Sequence, residues 1–234
     1  MKKSIVLMVF ALLLTYQTAF AHHPWVEKEG GKFLVAWGHL PNVSPYDPKR
    51  VKDIKVFDQD GQKIVFNRSD EAEKVYVTPK ADASMITLSF EGSYLVTTPD
   101  GKKAMTKREA QKAGMQVVDS IYYNQFAKSL FGYSNSVVKP HDLKFEIVPL
   151  KNPFTLKANE LLPIKVLFDG KPIDGVTIKV GTTEVAKTDG EGVAQIQTTG
   201  QGMQVILATY RIPTTDNPDA DYFSYTTVLT VELK

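Results

Sequence analysis

Two adjacent histidines, His22 and His23, stand immediately after Ala19-Phe20-Ala21 and before Pro24-Trp25. Ala19 and Ala21 are the small residues that a leader peptidase reads at −3 and −1, so cleavage after Ala21 makes His22 the first residue of the mature chain. The new α-amine and the His22 Nδ1 can then close a chelate ring on one metal ion. His23 adds a second imidazole and, for a small divalent ion at sufficient pH, an ionised backbone amide. Pro24 has no amide hydrogen, so amide ligation stops there. Imidazole suits Zn, Cu, Ni and Fe, and the sequence has no cysteine to draw softer ions. The bland alternative is a frayed end that happens to carry two histidines. The position, after a cleavage signal and before an aromatic anchor, favours the metal.

Two further histidines complete the set of four. His39 follows Trp37-Gly38 at the end of a strand-like run, and Gly38 would let another backbone, such as the amino-terminal segment, approach closely. Alone, a histidine at a strand end is more often a hydrogen-bonded packing residue. Beside the dipeptide it becomes a candidate third imidazole, a donor set that suits Cu2+ or Ni2+ and, in tetrahedral form, Zn2+. His141 joins only if the connection near 139–142 folds back over the first half. Asp47 and Asp142 are candidate outer or weak inner ligands, because a bound imidazole usually donates its second N–H to an oxygen. For each, a loop carboxylate accepting from backbone amides is the stronger reading.

Other chemistry finds little support. Asp58-Gln59-Asp60-Gly61 suggests a calcium loop, but the twelfth position is Ser69 instead of the required glutamate. Asp216-Asn217-Pro218-Asp219-Ala220-Asp221 is acidic and reads as a solvated turn. Ser93, Ser120 and Ser129 lie outside any Gly-x-Ser-x-Gly elbow, and no His-Glu-x-x-His or phosphate-binding loop occurs. The chain is therefore expected not to be an enzyme; the one catalytic reading retained is a two-histidine copper brace.

Met1-Lys2-Lys3 and the apolar run Ile5 to Leu14 form a leader too short to span a bilayer. Its two lysines account for the whole formal charge of +2, so the remainder is balanced and nucleic acid is not an expected partner. The product is expected to be periplasmic and soluble, with no membrane anchor after cleavage. Without cysteines it has no disulfides to staple it, and packing must supply the core.

The positioning elements read as all-β. Strand runs are expected at 32–37, at 54–57 and 63–66 as a hairpin about Asp58–Gly61, and at 75–77, 85–90 and 94–96. Thr106-Lys107-Arg108-Glu109 fits a capping box opening a short helix that ends at Gly114. The β-branched and aromatic residues of 117–128 favour a strand over a continued helix. Further runs occupy 143–148, 161–168, 176–180, 184–186, 193–196, 205–211 and 225–233, with a turn at Thr188–Gly192. The expected organisation is a signal peptide (1–21), an N-terminal β domain (22–138) with a helical insertion near 106–114, and a C-terminal Ig-like β-sandwich (143–234). Both modules read as Ig-like or transthyretin-like antiparallel sandwiches.

The histidine start before Trp25, Gly38-His39, Ile147-Val148-Pro149-Leu150-Lys151-Asn152-Pro153, Asp169-Gly170-Lys171-Pro172 and the Thr188-Asp189-Gly190-x-Gly192 turn together resemble the DUF4198 family. That resemblance implies a periplasmic component that delivers or senses Ni2+ or Co2+ for a separate metal-uptake transporter. It implies metal roles for His22, His23 and His39, and less directly for His141. Cu2+ or Zn2+ as the ion, and a two-domain interaction module without metal, are the alternatives.

Overall fold

The computed structural model describes residues 22–198 and 201–233. The leader and its cleavage site, residues 1–21, lie outside the described residues. The fold is predominantly β, built from several sheets and one short α-helix among the described residues.

The layer that carries the candidate site is a small antiparallel sheet. His23–Glu29 pairs with Lys32–His39, which pairs with Lys74–Pro79, which pairs with Phe66–Glu71. Gly30 and Gly31, both at positive φ, make the tight turn between the first two strands. Alternation decides which side chains face inward. Val26, Phe33, Val35, Val75 and Val77 point into one core, while Trp25, Leu34, Ala36 and Tyr76 cluster on the other face. Trp25 is fully buried. Burying a large apolar side chain contributes on the order of 2–3 kcal/mol, enough to offset the roughly 1–2 kcal/mol of backbone entropy per ordered residue. The strand therefore stays paired up to His23, opposite Gly38.

Beneath it runs a sheet of nine strands whose main path links Thr183–Lys187, Thr177–Val180, Gly202–Pro213, Tyr222–Leu233, Asp119–Leu130, Met85–Phe90 and Val51–Phe57. Its two faces serve two cores. Ala127, Ile86, Leu88 and Phe90 pack under the small sheet. Phe126, Leu130, Leu229 and Val231 pack in the larger core with Phe145, Ile147, Ile164, Val166 and Ile196. Those last residues belong to a third sheet of Phe145–Pro149, Leu161–Phe168, Lys171–Pro172 and Val193–Gln197.

The structure corrects two expectations. Val51–Phe57 and 63–66 close only the base of the expected hairpin. The turn at Asp58 closes as read, with Asp58 Oδ1 accepting from Asp60 and Gln62 amides, but the ladder stops at the Phe57–Lys63 bridge and the Ile64 amide donating to the Val56 carbonyl at 2.9 Å. Val51–Phe57 pairs instead with Met85–Phe90 in the nine-stranded sheet, while Phe66–Glu71 crosses to the small one. Pairing is also not wholly antiparallel: Asp119–Leu130 runs parallel to Tyr222–Leu233 across ten residue pairs from Ile121–Tyr222 to Leu130–Val231. Parallel neighbours need a long crossover, and here that crossover is most of the second half of the chain. Strands from both halves thus share one sheet.

The capping box is present: Thr106 Oγ1 accepts from the Glu109 amide, Glu109 accepts from the Thr106 amide, and the helix spans Lys107–Lys112. The acidic loop 216–221 docks this helix, with Lys107 on Asp221 and Arg108 on Asp219.

Candidate functional site

Three imidazoles meet where the small sheet begins. The His22 ring stands edge-on to His39 at 4.6 Å between centroids, and His23 lies 6.0 Å from His39. The pairing of the first two strands sets this arrangement, because it brings the start of one against the end of the other. At Gly38 the backbone takes φ +148, and a Cβ there would be driven into the Asn42 carbonyl oxygen. The close approach expected at Gly38 is thus made chiefly by the returning Asn42–Ser44 segment. That turn fixes the direction in which His39 leaves the strand.

A wall of aromatic rings backs His22. Its ring sits edge-on to Trp37 at 4.4 Å, and Trp37 stacks on Phe90 at 5.8 Å, nearly parallel. The Arg50 guanidinium lies over Phe90 at 4.5 Å, donating to the Glu91 carbonyl and the Tyr123 hydroxyl. Gln125, from the central strand, ties wall and terminus together. Its Oε1 accepts from Trp37 Nε1 at 2.9 Å, and its Nε2 donates to the His22 carbonyl. The same face of that strand presents Ser129, whose hydroxyl accepts the Val26 amide at 3.0 Å and the Thr230 hydroxyl at 2.8 Å. An otherwise outward-facing amide of the first strand is thereby satisfied. Burial, and then the nearby His39, lower the His22 pKa. A lowered value keeps the ring neutral and its lone pair available at neutral pH.

Ring separations test whether these donors fit a metal. With a metal–nitrogen bond of about 2.0–2.1 Å, a ring centroid sits roughly 3.2 Å from its ion, so two rings on one ion lie at most about 6.4 Å apart. Both histidine separations fall inside that limit. Among the described residues, however, no group of three or more His, Cys, Asp or Glu side chains is already arranged to hold a metal ion. The donors fit an imidazole-preferring ion in kind; closing round it requires ring rotation and a further donor, which the His22 α-amine would supply after cleavage.

The remaining sequence candidates stand elsewhere. His141 is buried on the opposite face of the central strand, where Phe126, Lys128 and Leu130 point. Its Nε2 bonds the Ser136 carbonyl at 2.7 Å, its ring packs on Phe57 at 4.5 Å, and its amide donates to both Glu146 oxygens. Glu146 in turn pairs with Lys128, both nearly inaccessible at 2 % and 1 % side-chain exposure. Burial lowers the His141 pKa, against the Ser136 hydrogen bond, which raises it. Asp47 caps the 3-10 turn Pro48–Arg50 by accepting from the Lys49 amide at 2.9 Å. Asp142 is open to solvent, with its carboxylate 4.0 Å from Lys55 Nζ.

Sequence reasoning gave Gln125 no role and weighed Ser129 only as a nucleophile. Gln125 lies inside the strand expected at 117–128 and Ser129 just beyond its end, but their partners lie 88 to 103 residues away, and local pattern carries no signal for such contacts.

Fold and site together describe a β-rich protein presenting a histidine cluster at the start of its first strand. The chain belongs to the DUF4198 family, a domain of unknown function, whose model matches residues 19–212. It is similar to an uncharacterized protein of Haemophilus influenzae, at 28 % identity over 215 residues and 89 % of each chain. No solved structure matches it. Among the described residues, no helix is long and apolar enough to cross a membrane.

Proposed function

We propose that this is an exported, periplasmic protein that binds a divalent metal ion at its mature amino terminus and delivers it to, or senses it for, a separate uptake transporter. Ni2+ or Co2+ is the ion that the family resemblance favours. The role is binding, with no substrate transformed. The reading rests on one observation: the fold gathers His22, His23 and His39, with rings 4.6 Å and 6.0 Å from His39. The lowered His22 pKa supports it by keeping that imidazole neutral.

Calorimetry on protein beginning at His22 tests the proposal. Saturable binding of Ni2+ or Co2+ at micromolar affinity or better is expected, and its absence removes the reading. One extra residue before His22 displaces the α-amine and is expected to weaken binding; equal affinities would contradict the amine's role. Intrinsic affinity for nitrogen donors rises toward Cu2+, so the metal content of protein taken from its native compartment, and not an affinity ranking, assigns the ion.

A further inference from the structure

We infer that Gln125 is the positioning residue of the histidine cluster, an internal clamp that converts the amino-terminal end into a fixed donor arm. The inference rests on the metal-binding reading above for its consequence, though not for its geometry. An end carrying an α-amine and two imidazoles is a poor ligand if it frays, because every metal-bound state must first order it. Here the ordering is built in. Gln125 is buried, at 3 % exposure, in the middle of the central strand. Its amide is used at both ends, accepting from the Trp37 indole and donating to the His22 carbonyl.

The two bonds have a joint effect that neither has alone. Trp37 forms the wall against which the His22 ring stands, and the His22 carbonyl belongs to the residue that carries that ring. One planar amide therefore fixes both ring and wall in a single frame. Phe90 and Arg50 hold the far side of Trp37, so the frame cannot relax by tilting the indole. With its amide taken up by the Trp37 indole and the His22 carbonyl, the glutamine would not ligate the ion. It acts through the backbone of His22, as outer partners orient the ligands of a metal centre.

The test uses processed protein with Gln125→Met, which keeps the side-chain volume and removes both bonds. Two readouts are taken: Ni2+ affinity by calorimetry, and the order of the His23 backbone amide without metal, by 15N heteronuclear NOE. The variant is expected to bind Ni2+ about 10- to 100-fold more weakly, with a mobile His23 amide. The Val77 amide, two strands away in the same sheet, is expected to stay ordered in the variant, which a general loss of fold would not produce. Affinity within about twofold of the parent, together with an unchanged His23 amide, overturns the clamp. So does a Val77 amide that becomes as mobile as that of His23. If the parent protein binds no Ni2+, the metal reading fails by itself, and the His23 amide alone decides: mobility in the variant upholds the clamp, and order refutes it. Should Gln125→Met not fold, Gln125→Glu retains the Trp37 acceptor while losing the donor to His22, and is judged by the same amide.

Discussion

Replacing Lys128 with methionine tests the account of the central strand most severely. The Lys128 ammonium and the Glu146 carboxylate form an ion pair whose side chains are 1 % and 2 % exposed, so solvent screening takes almost nothing from their interaction. Lys128 also reaches the Lys139 carbonyl at 3.4 Å, and Glu146 is otherwise held by the His141 amide. Burial lowers the Lys128 pKa and Glu146 opposes that shift; the ammonium depends on its partner to stay charged. Lys128→Met fits the aliphatic volume but leaves Glu146 as a buried charge with only backbone donors. Removing one member of such a pair costs about 3–5 kcal/mol, a large share of the roughly 5–15 kcal/mol that holds a domain folded. At about 2–4 °C per kcal/mol for a chain of this size, the melting point should fall on the order of 10 °C. Lys128→Met combined with Glu146→Gln removes both charges and keeps an acceptor for the His141 amide, so most of the loss should return. Urea unfolding of parent, both single variants and the double variant measures the cycle. A cost under about 1 kcal/mol for Lys128→Met, or a double variant no more stable than the single, would refute the reasoning.

Other consequences are less demanding to measure. Gly38→Ala meets both a positive φ and the Asn42 carbonyl; it should lower stability by about 1–3 kcal/mol and weaken Ni2+ binding by displacing His39, while Gly101→Ala, with nothing within 4 Å, should leave binding unchanged. Thr106→Ala removes the cap of Lys107–Lys112 and should cost about 1 kcal/mol in urea unfolding, with no effect on metal binding. The His22 and His141 pKa values are lowered in the folded chain from 6.5. The unfolded chain therefore takes up protons first as pH falls, so stability is complete above about 6.5 and is lost as pH drops toward the depressed folded values. His141→Gln never titrates, and its amide can still donate to Ser136; it should flatten this loss between about pH 7.5 and pH 5, whereas equal slopes for parent and variant would rule out His141 as the source.

Local chemistry was legible where the partner lies close in sequence. The capping box, the Asp58 turn and the Asp189 turn, whose carboxylate accepts from the Glu191 and Val193 amides, all depend on residues within four positions. The strand expected at 117–128 is found at Asp119–Leu130, because β-branched and aromatic residues outweighed the helical alternative. Which strand pairs with which was not legible. The Asp58 turn ends one strand and starts the next run, and the Ile64 amide still reaches the Val56 carbonyl, but beyond that contact Val51–Phe57 and Phe66–Glu71 take partners in two different sheets. The histidines show the same division. His22, His23 and His39 converge because adjacent strands bring them together, a step that short-range reasoning could take. His141 was weighed for the same cluster, yet the alternation along Asp119–Leu130 places Lys128, and His141 beyond it, on the far face from Gln125. Only the pleat of that strand in its final sheet separates the two sides.

The parallel pairing of Tyr222–Leu233 with Asp119–Leu130 also governs when the protein can become native. The last strand supplies a neighbour along the whole length of the segment that carries Gln125 and Ser129, so a growing chain that has already made every residue of the upper layer still lacks half the support beneath it. Contacts of such sequence separation form slowly. Loss of the final dozen residues should therefore disturb the opposite end of the polypeptide, the end that bears the histidines.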